Sequence, residues 1–188
     1  MKYLIFSDLH GSYWALKKLE KIISKQKIVR IISLGDILYH GPRNDLPKEY
    51  NPKKIIEDIK PYQNKMIFIK GNCDAEVDEM VLNCKMSKMK KIKIGEHIIY
   101  LTHGHHLSRF EPDEKLEKGS IVLYGHYHTF NISKIKEVTY INIGSASLPK
   151  DQYYQYAIMD EIGIKVYSLS DNTLIGKYDF KEELCGNK

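Results

Sequence analysis

The sequence predicts an α/β protein in which two β-sheets face each other with helices on the outside. Two observations predict this fold. Apolar runs alternate with amphipathic helical patterns in the first half, and closely spaced strand patterns follow in the second half. The first order of elements is typical of βαβ units and the second of a β meander. The 188 residues contain no repeat, low-complexity tract or linker, so we expect a single domain over residues 1–188.

The first half contains three short apolar runs and two helical patterns. Ser12 precedes apolar residues at the i, i+3, i+4 spacing of an amphipathic helix, and it is a suitable N-cap. Asn51 and Pro52 begin a second helical pattern, which Pro61 is expected to end. In order, we predict a strand at 3–6, a helix at 12–25, a strand at 29–34, a helix at 51–60 and a strand at 65–69, whereas segment 77–84 is ambiguous.

The second half changes to short strands separated by turns. Gly95 and Glu96 lie between two alternating segments and predict a hairpin, and Gly163, Asp171 and Asn172 supply later turns. We predict strands at 91–94, 97–102, 121–124, 132–137, 139–143, 155–160, 165–169 and 173–180, with a short helix at 111–118.

Composition excludes several classes of protein. A content of 43% hydrophobic and 28% charged residues is typical of a globular protein and argues against disorder. The first apolar run stops at Asp8 and none is long enough for a transmembrane helix, so we expect neither a signal peptide nor a membrane contact. Three cysteines, Cys73, Cys84 and Cys185, are unsuited to a disulfide framework, which indicates a reducing compartment and a cytoplasmic location.

The net charge is mildly basic. A formal charge of +5, from 29 lysines and arginines against 24 carboxylates, permits a phosphate-bearing ligand. The lysines are spread along the chain and are not interleaved with aromatic residues, as an extended nucleic-acid surface would require. We therefore do not expect nucleic acid as a partner.

Five predicted strands end in polar clusters that contain metal-ligating side chains. The clusters are Ser7-Asp8-Leu9-His10, Gly35-Asp36, Gly71-Asn72-Cys73-Asp74, His103-Gly104-His105 and Gly125-His126-Tyr127-His128. Ligands of α/β sheets bind beyond the carboxyl ends of the strands, so neighbouring strands would bring the five clusters to one edge. One such cluster is compatible with an ordinary turn or a buried polar pair, but five at strand ends indicate a single site.

The candidate ligands are two aspartates, one asparagine and four histidines: Asp8, His10, Asp36, Asn72, His103, His126 and His128. Mixed oxygen and nitrogen donors suit Mn²⁺, Fe²⁺, Co²⁺, Ni²⁺ or Zn²⁺. Seven donors are too many for one tetrahedral site and fit two adjacent ions that share a carboxylate, an arrangement used in phosphate ester hydrolysis. We therefore predict two divalent metal ions, with Mn²⁺ as the expected one.

The five clusters, in this order and spacing, resemble the signature blocks of the calcineurin-like metallophosphoesterases over residues 1–180. Segments 35–44 and 71–78 resemble, more narrowly, the bacterial YfcE-type phosphodiesterase subfamily. The resemblance implies a four-layer α/β/β/α sandwich of two facing mixed sheets in a single metallophosphoesterase domain. It also implies a metal-dependent phosphodiesterase that favours small diesters over monoesters.

The resemblance further implies a role for each ligand. Asp36 would bridge the two ions. The first ion would be held by Asp8, His10 and His128, and the second by Asn72, His103 and His126. A hydroxide between the ions would attack phosphorus in line with the leaving group, so no covalent phospho-enzyme is expected.

Cys73 departs from the family pattern, in which many members carry a histidine that protonates the leaving oxygen beside an acid such as Asp74. A thiol with an ordinary pKa of about 8.5 is a poorer proton donor, so we expect a preference for good leaving groups. His105 or a metal-bound water is the alternative acid. The catalytic candidates are thus Asn72, Cys73, Asp74 and His105, although Cys73 is also compatible with an inert space-filling side chain or a reactive thiol.

Arg43 and Asn44 follow Asp36 closely and are candidate contacts to a substrate phosphate, because a guanidinium matches phosphate oxygens. Loop ordering or a subunit contact is the alternative for both residues, and a dimer or tetramer of the chain stays possible. Two other functions also stay open: a non-catalytic metal-binding or protein-interaction scaffold on the same fold, and a nuclease. All seven ligand positions carry competent residue types, which favours an enzyme.

Overall fold

The computed structural model describes residues 1–107 and 116–181, and this part of the chain contains eleven strands and three α-helices. The strands are β1 Lys2–Phe6, β2 Ile28–Ser33, β3 Met66–Phe68, β4 Met89–Ile94, β5 His97–Thr102, β6 Ile121–Tyr124, β7 Phe130–Ile135, β8 Val138–Ile143, β9 Gln155–Met159, β10 Gly163–Ser168 and β11 Leu174–Asp179. The helices are α1 Tyr13–Lys25, α2 Pro52–Ile59 and α3 Glu76–Val81.

Most of the predicted elements are confirmed to within two residues at each end. Ser12 caps α1 as expected, since its side chain accepts a hydrogen bond from the backbone N–H of Ala15. Helix α2 ends before Pro61, but the chain continues through this proline as a 3₁₀ helix at Lys60–Lys65. The ambiguous segment 77–84 lies in α3 and the turn after it. The predicted helix at 111–118 falls mostly on residues outside the described part.

Both sheets are mixed. The first has the strand order β11-β10-β9-β1-β2-β3, in which β1, β2 and β3 are parallel and β9 runs antiparallel to β1. The second has the order β4-β5-β6-β8-β7, in which β5, β6 and β8 are parallel. The predicted α/β fold with two facing mixed sheets is therefore confirmed.

Apolar side chains between the sheets and under the helices hold these layers together. Ile5 and Ile32 of the first sheet and Leu101 and Ile141 of the second are fully buried in one cluster between the sheets. A second cluster joins the other face of the first sheet to α1 and α2. Removal of this apolar surface from water is the main force that holds the sheets at a fixed distance.

Within the described residues, no helix has both the length and the apolar character needed to cross a membrane.

Candidate metal centre

The polar clusters that follow β1, β2, β3, β5 and β6 meet at one end of the two sheets. Three ligand atoms lie within 4.8 Å of one another, one from each of Asp8, His10 and His128. The same holds for Asp8, Asp36 and His103. The predicted convergence is therefore observed, and it draws residues from both sheets.

Asp8 lies at the centre of this group and is fully buried. Its Oδ1 atom lies 3.2 Å from Nε2 of His128 and 3.6 Å from Nε2 of His10. Nε2 of His103 lies 3.9 Å from the same oxygen. Oδ1 nevertheless has no hydrogen-bond partner among the described residues. A buried carboxylate oxygen in this state is unfavourable unless a cation or a proton neutralises it.

Backbone carbonyl groups hold three of the imidazole rings from behind. Nδ1 of His10, His103 and His128 lies 2.8, 2.8 and 2.5 Å from the carbonyl oxygens of Tyr39, Leu34 and Leu148, respectively. A carbonyl oxygen can only accept, so each Nδ1 carries a hydrogen and each neutral ring turns the lone pair of Nε2 towards Asp8. This is the orientation that a metal-ligating histidine requires.

Asp36 faces two of these rings with one oxygen. Its Oδ2 lies 3.3 Å from Nε2 of His103 and 3.8 Å from Nε2 of His10. Its Oδ1 accepts a hydrogen bond from the backbone N–H of Cys73 at 2.8 Å. Oδ1 of Asn72 lies 3.0 Å from Nε2 of His103, so Asn72 lies on the His103 side of the group.

His126 lies at the margin of the group. Its ring centroid is 5.1 Å from that of His103, and its side chain is only half-buried. Its backbone N–H donates to Oδ2 of Asp8 at 3.0 Å. The structure thus brings all seven predicted ligands together, with six close to one another and His126 at the solvent side.

Five of the seven predicted ligands have left-handed backbone conformations, with φ values of 55° at Asp8, 46° at His10, 57° at Asp36, 65° at His126 and 61° at His128. Such angles are uncommon outside glycine and cost energy that the surrounding structure must supply. Strained residues cluster at functional sites, so this concentration is a second indication that the group is functional.

Sequence reasoning missed a segment that braces the group. The hydroxyl groups of Ser145 and Ser147 both donate to the carbonyl oxygen of Asp8, at 3.0 and 2.8 Å. The backbone N–H of Lys150 donates to the carbonyl oxygen of His128 at 2.9 Å. The segment 145–150 therefore fixes the backbone of two predicted ligands, although its residue types gave no signal of a metal site.

The charges within the group shift the pKa values of its members. Burial raises the pKa of Asp8, but His10 and His128, which donate to this carboxylate once they are protonated, and the charge of His103 outweigh burial and hold this pKa well below its usual range. Burial lowers the pKa of His103, but the hydrogen bond to Asp36 and the charges of both carboxylates raise it to about 9. The metal-free protein therefore holds protons where a cation would bind, and binding of a cation would release them.

Cys73 lies beside the predicted ligands. Its Sγ and the ligand atoms of His10 and Asp36 lie within 4.8 Å of one another. Burial and the charge of Asp36 raise the pKa of the Cys73 thiol to about 12. In the metal-free protein the thiol is therefore protonated at neutral pH and is a weak acid.

Asp74 is turned towards the backbone. Its Oδ2 accepts from the N–H groups of Asp36 and Gly71, both at 2.8 Å, and its Oδ1 accepts from the N–H of Ile37 at 2.9 Å. A side chain at Gly71 would lie 2.0 Å from Oδ1 of Asp36, so only glycine fits there. Asp74 thus ties the Asp36 loop to the turn after β3.

His105 is partly buried beside other imidazole rings. Its ring centroid lies 3.9 Å from that of His106 and 5.4 Å from that of His103. Burial, together with the positive charge of His103, lowers the pKa of His105 to about 4. The ring is therefore neutral at neutral pH in the metal-free protein.

A cleft of about 880 Å³ opens over the group. Arg43 and Asn44, the predicted phosphate contacts, line it together with Tyr127 and Lys150, which sequence reasoning missed. Nδ2 of Asn44 donates to the carbonyl oxygen of His40 at 2.7 Å and so orders its own loop. Arg43 is exposed and has no ion-pair partner in the described part of the chain.

Comparisons with known proteins show the family to which the chain is similar. Residues 1–162 match the family model of the calcineurin-like phosphoesterase superfamily domain. The chain is 33% identical to phosphodiesterase YfcE of Escherichia coli (strain K12) over 181 residues, which cover 94% of this chain and 97% of that protein. It is 26% identical to phosphodiesterase MJ0936 of Methanocaldococcus jannaschii over 157 residues, which cover 77% of this chain and 83% of that protein.

Solved structures show the same fold. The structure of YfcE, a phosphoesterase from E. coli, matches with a TM-score of 0.90 and 31% identity, covering 96% of this chain and 100% of that chain. The crystal structure of wild-type Vps29 from Entamoeba histolytica, complexed with Zn²⁺, matches with a TM-score of 0.63 and 19% identity, covering 96% of this chain and 99% of that chain.

Proposed function

The chain belongs to the calcineurin-like phosphoesterase superfamily, and on that premise we propose that it is a phosphodiesterase that hydrolyses a small phosphodiester with two divalent metal ions. The observation that carries the proposal is Oδ1 of Asp8, which is buried, has no hydrogen-bond partner among the described residues and lies within 3.9 Å of three histidine Nε2 atoms. A cation would satisfy this oxygen and the ring lone pairs at once.

We assign one ion to Asp8, His10 and His128 and the other to Asn72, His103 and His126, with Asp36 shared between them. The position of Oδ2 of Asp36 between His103 and His10 supports this division. Mn²⁺ is the ion we expect, and Fe²⁺, Co²⁺, Ni²⁺ and Zn²⁺ suit the same donors. Such ions supply a nucleophile from water at neutral pH and neutralise the charge that develops on the phosphoryl oxygens.

The side chains around the ligands bind and orient the substrate. Arg43 lines the cleft and would bind phosphoryl oxygens through its guanidinium, while Asn44 holds the loop that carries it. Asp74 keeps Asp36 in place through the backbone. The thiol of Cys73, with a pKa of about 12, and the ring of His105, with a pKa of about 4, are both poorly matched to proton donation at neutral pH. We therefore expect the enzyme to favour esters with good leaving groups.

We also infer a cytoplasmic location, because Cys73 and Cys84 are free thiols that form no disulfide. Cys185 lies outside the described residues. The formation of a dimer or tetramer stays a prediction.

The proposed function is tested by hydrolysis of bis(p-nitrophenyl) phosphate beside p-nitrophenyl phosphate, first with chelator-treated protein and then with Mn²⁺ restored. We expect turnover that depends on the metal and is faster for the diester. Faster turnover of the monoester would contradict the preference for diesters. Absence of turnover with Mn²⁺, Co²⁺, Ni²⁺ and Zn²⁺ would contradict the enzyme and favour a non-catalytic scaffold.

A further inference from the structure

A second cleft adjoins the cleft over the metal centre. It has a volume of about 750 Å³, and its polar lining residues are Tyr124, Tyr127, Thr129, Asn131, Ser133 and Lys150, together with the buried amide of Asn142. Tyr127 and Lys150 line both clefts. The two clefts therefore meet at these two residues, directly beside the predicted ligands His126 and His128.

Hydrogen bonds and ring packing hold the residues at this junction in place. The N–H of Lys150 is bonded to the carbonyl oxygen of His128, as described above. The next residue, Asp151, accepts hydrogen bonds from the N–H of Phe130 at 3.1 Å and from Nε2 of Gln155 at 2.8 Å. The ring of Tyr127 packs edge-on against His126, with centroids 5.0 Å apart. The junction thus shares one hydrogen bond with the metal centre, the bond from the N–H of Lys150 to the carbonyl oxygen of His128.

The second cleft combines polar side chains with a larger share of apolar surface and carries little charge. Asn131 and Ser133 are alternate residues of β7 and therefore point to the same side of the sheet. Among the described residues that line the cleft, Lys150 is the one cation and none is a carboxylate. Hydroxyl and amide groups beside an aromatic ring suit an uncharged, hydroxyl-bearing ligand, whereas the ammonium at the junction suits an anion.

We propose that this second cleft, which we call the arm cleft, binds one ester arm of the phosphodiester and selects an arm that carries a sugar. Phosphorus lies at the metal centre, Lys150 contacts the phosphoryl oxygens at the junction, and the sugar extends past Tyr127 to Asn131 and Ser133. The inference rests on the proposed function, because the arm is placed by a phosphoryl group bound at the metal centre.

Three chromogenic esters with the same leaving group test the arm cleft. Thymidine 5′-(p-nitrophenyl phosphate) carries a sugar arm, methyl p-nitrophenyl phosphate carries a small arm, and p-nitrophenyl phosphate carries none. We expect Asn131→Ala combined with Ser133→Ala to lower kcat/KM for the thymidine ester roughly threefold to tenfold, mainly through KM. The methyl ester and the monoester should be unaffected.

Lys150→Met gives a second, independent test at the junction. Loss of the ammonium should lower kcat/KM about tenfold for both diesters, because both place the same phosphoryl group beside it. Asn64→Ala is the matched control for the Asn131 and Ser133 variant. Asn64 is exposed and precedes β3, and the metal centre lies beyond the opposite end of this strand. The unfolding temperature of each variant is compared with that of the wild type.

The proposal that the arm cleft binds the sugar arm is overturned if the Asn131 and Ser133 variant loses activity equally on both diesters. It is also overturned if this variant loses no activity on the thymidine ester. The role of Lys150 is overturned if Lys150→Met acts on neither diester. If the wild-type protein with Mn²⁺ hydrolyses none of the three esters, the proposed function itself is contradicted, so the two failures are distinguishable.

Discussion

The Nε2 atoms of His10 and His128 lie 3.4 Å apart, although the two residues are separated by 118 positions in the chain. Both rings are held from behind by carbonyl oxygens, so their neutral forms turn two lone pairs towards each other and towards buried Asp8. Without a cation or protons this arrangement is repulsive. The group is therefore built to hold positive charge, and its stability depends on what supplies that charge.

The metal-free protein should lose stability as the pH rises above neutral. The pKa of His103 is about 9 in the folded protein, against an ordinary value of 6.5. The stabilisation is fully present below about pH 6.5 and is lost as the pH rises through about 9, on the order of 3 kcal/mol. Thermal unfolding of chelator-treated protein at about pH 6 and about pH 9.5 measures the loss.

His103→Asn should remove most of that difference, because asparagine does not titrate. An equal difference in wild type and variant would show that other groups cause it. With Mn²⁺ restored, the trend should reverse for the wild type, because the metal competes with protons for the same ligands.

Ser145→Ala combined with Ser147→Ala should weaken metal binding roughly 10-fold to 100-fold. The double variant removes both hydroxyl groups that hold the carbonyl oxygen of Asp8, whose backbone is left-handed. Titration of Mn²⁺ into chelator-treated protein measures the change in Kd. Ser120→Ala is the control, since this serine is buried but its hydroxyl has no hydrogen-bond partner among the described residues. An unchanged Kd in the double variant, or an equal loss in the control, would contradict the bracing role.

Asp36→Asn should lower kcat/KM for bis(p-nitrophenyl) phosphate by about 10³-fold or more, because an amide cannot bridge two cations as a carboxylate does. His126→Ala should also abolish most turnover by removing one ligand of the second ion. Asp171→Asn, in the exposed turn between β10 and β11, controls for the loss of a carboxylate elsewhere. Near-normal turnover in Asp36→Asn would exclude the two-ion mechanism.

Cys73→His should raise activity on poor leaving groups, provided that proton donation limits the reaction. An imidazole is a far better acid at neutral pH than a thiol whose pKa is about 12. The measured quantity is the ratio of kcat/KM for an alkyl leaving group to that for p-nitrophenolate, which should rise about tenfold or more. Cys73→Ser is the matched control and should leave this ratio unchanged. An unchanged ratio in Cys73→His would refute proton donation as the limitation.

The strands and the five clusters could be predicted because they depend on local order. Each is an apolar run followed at once by aspartate, asparagine or histidine, and parallel strands carry such ends to one edge. The direction of Asp74 could not be predicted, because its position next to Cys73 in the chain does not fix where its carboxylate points.

The contacts of Ser145 and Ser147 with Asp8, and the position of Lys150 between the two clefts, also could not be predicted from the sequence. Ser145 and Ser147 contact Asp8 across 137 and 139 positions, and no residue type or spacing near β8 signals that contact. In the sequence, Lys150 is one of many lysines spread along the chain, so nothing marks it as a cleft residue. The left-handed backbone of Asp8 and His10 could not be predicted either, since both residue types alone favour other conformations.

The separation along the chain between Asp8 and the two serines that bind its carbonyl oxygen also sets an order of events during synthesis. Asp8 leaves the ribosome early, whereas Ser145 follows 137 residues later. At bacterial or eukaryotic elongation speeds this interval is on the order of ten seconds. During it the nascent chain exposes acidic and imidazole side chains that lack their final geometry. The geometry that the proposed metal ions require is therefore complete only after Ser145 and Ser147 have emerged and reached Asp8.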